Sequence, residues 1–234
     1  MNSLNRNSSF YYPTEGAIDL QSIMRQVYTW MVLGMVITSA VAYVTASTSL
    51  INLALNPIIL IVAVLAEFGL VLGISAGFNR LSSGVATLLF MLYAALNGFT
   101  LSIVLLAFTN ASLFVAFAIT AALFAAMSII GYTTKVDLSK MGTFLMMGVL
   151  GLVIAIVVNM FVASGPLDTI ISVAGVLIFT ALTAYDTQRI GRMAAQMNVS
   201  GENEVKFGIF GALRLYLDFI NMFLFVLRLT GRRR

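Results

Sequence analysis

The stretch 169-TIISVAGVLIFTALTAYDTQRI-190 decides the class of fold, because an uninterrupted apolar run leads directly into a carboxylate, Asp186. About 20 apolar residues cross a bilayer once as a helix. The run is apolar all round, whereas a membrane-spanning strand would alternate in polarity. Backbone groups in lipid must also be satisfied within their own segment, which a helix achieves. The stretch therefore predicts a transmembrane helix that ends in a charged residue.

The rest of the chain repeats this pattern. Of its 234 residues, 60% are hydrophobic and only 9% are charged, whereas a soluble domain carries about 25% charged residues. Seven apolar segments can be counted: Val27–Ala46, Pro57–Phe78, Gly84–Phe108, Ser112–Tyr132, Met141–Ala163, Thr169–Arg189 and Val205–Leu229. We therefore predict an all-α integral membrane protein with seven transmembrane helices. Residues 23–230 form its single domain, 1–22 a polar N-terminal tail and 231–234 a basic C-terminal tail.

The charges of the short connections predict the orientation. Basic residues lie in the second, fourth and sixth connections: Arg80, Lys135, Lys140, Arg189 and Arg192. By the positive-inside rule these connections, and with them the N-terminus, face the cytoplasm. The tail 231-GRRR-234 disagrees, since seven crossings would place it outside. Either the last segment is re-entrant, or the tail overrides the rule.

The composition also excludes several kinds of chemistry. The chain has no cysteine and no histidine, which removes disulfides, thiol catalysis, haem ligation by His and the usual zinc sites. The net charge of +4 is interpreted as loop charge rather than as a nucleic-acid surface. We expect no cofactor and no nucleic-acid partner.

Two acids stand out, because a charge at the bilayer centre costs about 2.5–3.5 kcal/mol on insertion scales. Asp186 ends segment six, and Asp218 lies inside 215-LYLDFINMFLFVL-227. If segments six and seven are neighbours, the two carboxylates approach and share one proton. Arg214, one helical turn before Asp218, would modulate that pair. The alternative for Asp186 is an ordinary interfacial residue that faces water.

Three further charges need partners. Arg80 ends segment two on the side where Asp186 ends segment six, so the two could meet. Glu67 lies in the middle of segment two, with no neighbour in sequence to neutralise it. Arg228 either pairs with Glu67 across helices or extends its charge to the membrane surface.

Small residues spaced four apart predict faces where helices pack closely. Such stripes occur in segments three and four: Ala94, Gly98 and Ser102, and Ala118, Ala122 and Ala126.

The strings 182-LTAYDTQRI-190 and 215-LYLDFINMFLFVLR-228 closely resemble the signature of the Bax inhibitor-1 family, the transmembrane Bax-inhibitor-motif proteins. The strings 93-YAALNGFTLS-102 and 131-GYTTKVDLS-139 look like those of its bacterial branch. The resemblance runs from about Met24 to the C-terminus. It implies a seven-helix fold with the last helix central within the other six. It also implies a pH-sensitive calcium leak, here in a bacterial cytoplasmic (inner) membrane.

The resemblance further implies roles for individual residues. Asp186 and Asp218 match a proton-sharing pair that senses pH, and Arg80 matches an arginine that latches the first of these acids. Glu67 and Arg228 match a charge pair. Calcium would be the permeant ion and would meet Asp186 and Asp218 only transiently, because two acids cannot supply the 6–8 oxygen ligands of a full calcium site.

Other functions stay open at this point. A regulator would bind other membrane proteins, including a membrane-anchored AAA protease, as the bacterial branch suggests. A proton-coupled transporter would use the same acids. An intramembrane aspartyl protease expects Gly-x-Gly-Asp at its second acid, where this chain has 215-LYLD-218. We therefore expect no enzymatic activity. The expected partners are the lipid bilayer and calcium ions.

Overall fold

The fold is taken from a computed structural model that describes residues 20–77, 80–197 and 202–232. Most of the predicted N-terminal tail, the end of segment two at Phe78, and residues 233–234 of the predicted C-terminal tail lie outside these ranges. The predicted fold class is confirmed: within these ranges, seven helices are long and apolar enough to span a membrane. The helices are α1 (Leu20–Ser47), the short α2 (Ile51–Ala54), α3 (Pro57–Ala76), α4 (Ser83–Ala107), α5 (Asn110–Thr133), α6 (Met141–Val162), α7 (Gly165–Met197) and α8 (Glu202–Thr230).

Several helices begin where the sequence offers a capping side chain. Asn56 precedes Pro57, and its Oδ1 accepts a hydrogen bond of 3.0 Å from the backbone N–H of Ile58. Ser82 and Thr109 cap α4 and α5 in the same way. Such caps satisfy backbone donors that a helix leaves free in its first turn, and proline at the first helical position loses no hydrogen bond. The polar connections thus fix where the apolar helices start.

Helix α8 lies at the centre of the bundle. In the most apolar stretch of α8, 61% of the residues are buried, whereas the share is 39% or less in the corresponding stretch of every other spanning helix. It packs on α7, α1, α5 and α4. The end of the bundle at which α1 begins is called the lower end here, and the opposite end the upper end. Helices α7 and α8, which carry the two aspartates, therefore lie side by side.

The upper end of α8 is bound to the connection between α4 and α5. The backbone N–H of Thr109 donates to the carbonyl of Arg232 over 3.2 Å, and the backbone N–H of Arg232 donates to Ser112 Oγ over 2.9 Å. The last helix therefore crosses the whole bundle. The alternative of a re-entrant last segment is wrong.

The two predicted small-residue stripes have different outcomes. Ala94, Gly98 and Ser102 are buried, and a Cβ added to Gly98 would lie only 2.5 Å from the carbonyl oxygen of Thr38 in α1. This stripe permits the close packing of α1 on α4, as the pattern predicts.

The stripe predicted in α5 is wrong, because its three alanines are exposed: Ala118, Ala122 and Ala126. The buried face of α5 carries Ala116, Thr120, Phe124 and Ser128 instead. Every face of this helix is apolar, so small residues mark a packing face only where a neighbouring helix lies against them. Helix α5 packs most closely at Gly131, where an added Cβ would clash with the carbonyl oxygen of Ala184 in α7.

Candidate functional site

Asp186 forms an ion pair with the central helix. Its side chain lies on α7 and is 7% exposed. Arg214 of α8 donates from Nη1 to Asp186 Oδ1 over 3.2 Å, and the same guanidinium lies 4.9 Å from the ring centroid of Phe210. A buried carboxylate needs a charged or hydrogen-bonded partner. The ion pair therefore both compensates Asp186 and joins α7 to α8.

Asp218 lies close enough to this ion pair to interact with it electrostatically. Asp186 repels its charge and Arg214 attracts it. Asp218 is 4% exposed, and among the residues that the structure describes its Oδ2 has no hydrogen-bond partner. Asp186, Arg214 and Asp218 are called the α7–α8 charge cluster below. It contains two acids and one permanent cation at the centre of the bundle.

A second arginine acts on Asp186 from its own helix. Arg189 attracts the carboxylate electrostatically and donates from Nη1 to Tyr185 Oη over 3.2 Å. Unlike Asp186, Arg189 is exposed. The cluster is thus connected to the lower surface of the bundle by a solvent-exposed cation.

The predicted latch between Arg80 and Asp186 is not formed, and Arg214 occupies that position instead. Arg80 is an exposed residue of the connection between α3 and α4. Helix α3 packs mainly against α4 at the edge of the bundle, whereas Arg214 reaches Asp186 from the neighbouring central helix. The sequence predicts the depth of Arg80 in the membrane, but it does not show which helices Arg80 faces.

The predicted pair between Glu67 and Arg228 is wrong. Arg228, in the last turn of α8, lies with Nη1 3.7 Å from Oδ1 of Asp168 at the start of α7. Glu67, in the middle of α3, accepts hydrogen bonds from Thr100 Oγ1 over 2.8 Å and from Asn97 Nδ2 over 3.3 Å. The two charges lie at different depths, and each has a nearer partner.

A chain of polar side chains runs from Glu67 to α1, and sequence reasoning missed it. Tyr216 Oη on α8 lies 2.9 Å from Asn97 Oδ1 on α4 and 2.6 Å from Thr38 Oγ1 on α1. Thr38 Oγ1 also lies 2.8 Å from the carbonyl oxygen of Ala94. The one available signal was Asn97 itself, an amide inside the apolar string 93-YAALNGFTLS-102. These residues are called the polar chain below.

The connection between α5 and α6 is bound to the lower part of α7. Gln188 accepts from the backbone N–H of Leu138 over 2.9 Å and donates to the carbonyl of Val136 over 2.8 Å. Beside it, Arg192 binds Asp137. The backbone hydrogen bond from Ser139 and the Arg192 guanidinium lower the pKa of Asp137 to about 2. This contact fixes the residues that follow Asp186 on α7.

The acids of the bundle form no strong metal site. In the described ranges no group of three or more acids is placed to hold a metal ion. Asp186 and Asp218 have Arg214 beside them, whose charge opposes a bound cation. The geometry fits at most a brief contact with a passing hydrated cation.

Among the residues described, six spanning helices around a buried seventh, with two interacting acids inside, define a polytopic membrane protein with an ionisable core. The family model described as "Inhibitor of apoptosis-promoting Bax1" matches residues 20–234. The chain belongs to this Bax inhibitor family, as the resemblance of its α7 and α8 strings predicts.

Bacterial relatives match over almost the whole chain. The inner membrane protein YbhL of Escherichia coli K12 is 43% identical over 237 residues, covering 100% of both chains. A protein of Borreliella burgdorferi is 43% identical over 213 residues, covering 90% of this chain and 92% of the relative. A membrane protein of Streptococcus pyogenes serotype M3 is 37% identical over 223 residues, covering 94% and 96%. The seven spans and the name of the first relative support a multi-pass protein of the inner membrane.

Proposed function

We propose that this protein is a pH-sensitive calcium leak of the inner membrane, gated by Asp186 and Asp218, with its N-terminus in the cytoplasm. The observation that carries the proposal is the α7–α8 charge cluster, in which two buried acids interact between α7 and the central helix α8 and one of them is ion-paired. The basic connections at the lower end support the orientation. Calcium is the permeant ion, since carboxylate oxygens suit a hard cation.

The gate works through the charge of Asp186. While Asp186 is ionised, its ion pair with Arg214 ties α8 to α7. Protonation removes the charge that Arg214 binds, so α8 is free to shift against α7 and open a path. Asp218 takes part because Arg214 attracts it as well, so the charge of Asp218 influences how firmly Arg214 holds Asp186. The leak therefore increases as the pH falls.

Selectivity in this scheme is modest. Two acids beside an arginine cannot replace the water around a calcium ion, so the ion passes partly hydrated and binds weakly. Weak binding favours a leak, because an ion held too tightly does not leave.

The cluster supports gating better than proteolysis. In an aspartyl protease two carboxylates share a proton and act together on a water molecule. Here Arg214 occupies Oδ1 of Asp186, and Leu215, Tyr216 and Leu217 stand where a glycine-containing motif would leave room for a substrate backbone. We therefore propose no enzymatic role.

The test is calcium flux into liposomes that contain only the purified full-length protein, measured across pH. Asp218→Asn and Asp186→Asn are the test variants. Asp168→Asn is the matched control, since Asp168 lies at the upper end with Arg228. We expect wild type and the control to share a pH-dependent flux, and both test variants to lose the dependence.

Two results would contradict the proposal. An unchanged pH profile in Asp218→Asn would remove the acid pair as the sensor. Absence of flux in the wild-type protein would reject the leak itself and favour a regulator of other membrane proteins, which cross-linking in native membranes would then detect.

A further inference from the structure

The polar chain contains more close contacts than hydrogens to fill them. Four contacts link it end to end: Glu67 Oε2 to the amide of Asn97 (3.3 Å), that amide to Tyr216 Oη (2.9 Å), Tyr216 to Thr38 Oγ1 (2.6 Å), and Thr38 to the carbonyl of Ala94 (2.8 Å). Each contact needs one hydrogen, and each hydroxyl carries one. With Glu67 ionised, the available donors are one amide N–H directed along the chain, one Tyr hydroxyl and one Thr hydroxyl. One contact therefore lacks a hydrogen.

The missing hydrogen affects the contacts of the two hydroxyl groups, those of Tyr216 and Thr38. In the described orientation Asn97 Nδ2 donates to Glu67, and Tyr216 donates to Asn97 Oδ1. The Thr38 hydroxyl can then donate its single hydrogen either to Tyr216 or to the carbonyl of Ala94, because both lie within hydrogen-bond distance of Thr38 Oγ1. The other contact is left without a hydrogen. All of these groups except Glu67 are buried, so bulk water does not relieve the deficit.

One added proton on Glu67 fills every contact. The carboxylic acid then donates to Asn97 Oδ1, which requires the amide to turn over and exchange its oxygen and nitrogen. The amide nitrogen now donates to Tyr216, Tyr216 donates to Thr38, and Thr38 donates to the carbonyl of Ala94. Thr100 still donates to the other carboxyl oxygen of Glu67. The same heavy-atom positions thus accommodate both states, with the Glu67–Asn97 and Asn97–Tyr216 hydrogen bonds reversed in direction.

We propose that Glu67 is a second proton-binding site of this protein, and that its protonation reverses the Asn97 amide and so changes the hydrogen bonds of the central helix at Tyr216. The site is separate from the α7–α8 charge cluster and does not depend on the proposed leak.

The groups around Glu67 come from α4 and α8. Helix α3 packs against α4, α2 and α8. Asn97 and Thr100 of α4 bond to Glu67, and Tyr93 of α4 and Tyr216 of α8 interact with it electrostatically. Helix α2 carries no charged residue in its sequence 51-INLA-54. Among the residues described, the groups acting on Glu67 thus include two tyrosines and two neutral donors but no cation.

The polar chain passes through the central helix α8 at Tyr216. Tyr216 is 0% exposed, and its ring packs edge-on against Tyr93 at 5.6 Å and Phe90 at 6.1 Å. It stands two residues before Asp218 on α8. A proton bound at the edge of the bundle therefore alters the hydrogen bonding of α8 close to the charge cluster.

The test is infrared difference spectroscopy between acid and alkaline pH, on the full chain in phosphatidylcholine–phosphatidylglycerol vesicles, with protons as the only ligand. Protonated carboxyl groups give a distinct C=O stretching band, and Tyr216→Phe identifies the tyrosine component. We expect one carboxyl band to vanish in Glu67→Gln while it persists in Asp186→Asn and Asp218→Asn. The Tyr216 component should vanish in Glu67→Gln as well.

A second variant separates proton binding from its transmission. Asn97→Leu keeps the side-chain size but removes the amide, so the Glu67 band should remain while the Tyr216 component is lost. Asn97→Ala, which also removes the amide, tests the same point if Asn97→Leu does not fold. Asp137→Asn is the matched control and should leave both components unchanged.

Either of two results would overturn the inference. One is a carboxyl region in Glu67→Gln that superimposes on that of wild type. The other is a Tyr216 component that survives in both Glu67→Gln and Asn97→Leu. Because neither readout involves calcium, a failure of the proposed leak would leave this result unaffected, and the reverse also holds.

Discussion

At the scale of single residues, Arg214 holds the site together. It is the partner of Asp186, it attracts Asp218, and it stacks on Phe210. Arg80, in the connection between α3 and α4, is exposed, and Asp186 is ion-paired with Arg214 instead. A cation on the central helix can act on both acids at once, whereas one in an edge connection cannot.

The first prediction compares these two arginines. Arg214→Gln should flatten the pH dependence of calcium flux and lower the free energy of unfolding by about 2 kcal/mol, less than the roughly 3–5 kcal/mol of a fully buried pair because Arg214 is partly exposed. Arg80→Gln should change neither. Equal effects of the two substitutions, in flux assays and thermal unfolding in detergent, would contradict the assignment of Arg214 as the latch.

The second prediction concerns Asp137. Its pKa of about 2 lies below the ordinary value of 3.8, so its contribution to stability is complete above the ordinary value and is lost as the pH falls through about 2. Asp137→Asn should therefore lower the melting temperature by the same amount at every pH between about 5 and 8. Thermal unfolding across that range is the measurement. A change that varies with pH there would mean that Asp137 titrates in the physiological window.

At the scale of helices, close packing depends on a few glycines placed against a neighbouring backbone. Gly131 of α5 and Gly98 of α4 face carbonyl oxygens of α7 and α1, whereas Gly151 of α6 has open space around it. Lipid supplies no hydrophobic drive between helices, so van der Waals contact of this kind is what holds them together.

The third prediction follows from that contrast. Gly131→Ala should push α5 away from α7 and destabilise the fold by about 1–3 kcal/mol, the usual effect of overpacking. Gly151→Ala should be neutral or stabilising by up to about 1 kcal/mol, because alanine is the better helix former. Melting temperatures of the two variants in the same detergent decide the matter. A Gly131→Ala protein as stable as wild type would show that α5 and α7 are not packed this closely.

At the scale of the whole molecule, α8 is fixed both in its lower half and at its upper end. The charge cluster ties it to α7, and the hydrogen bonds of Arg232 tie its end to Thr109 and Ser112. Any opening that moves α8 must therefore pivot about the upper contact once the cluster releases it.

The fourth prediction tests this upper contact. Ser112→Ala removes the acceptor of the Arg232 N–H, which should cost about 1 kcal/mol and speed hydrogen exchange in the last turn of α8. Ser47→Ala is the control, because Ser47 bonds only to carbonyls of its own helix. Exchange measured by mass spectrometry should change for the first variant alone. If α8 exchanged equally in both, its end would not depend on the connection between α4 and α5.

The sequence alone determined that the chain spans a lipid membrane, that it crosses seven times, and that Asp186 and Asp218 are candidate functional acids. Long apolar runs can satisfy their backbone only as helices, and carboxylates inside such runs are costly enough to require a function or a partner. The strings around Asp186 and Asp218 also determined the family. Each of these inferences depends on properties of one segment, which is why they could be made without coordinates.

Only the tertiary structure decided which charges meet. Arg214 rather than Arg80 binds Asp186, Asp168 rather than Glu67 binds Arg228, and Glu67 belongs to a polar chain with Asn97. Partner choice depends on which helix faces each side chain. In helices that are apolar all round, no sequence periodicity records that rotation. The buried face of α5 and the central place of Tyr216 became visible only when neighbouring helices were packed around them.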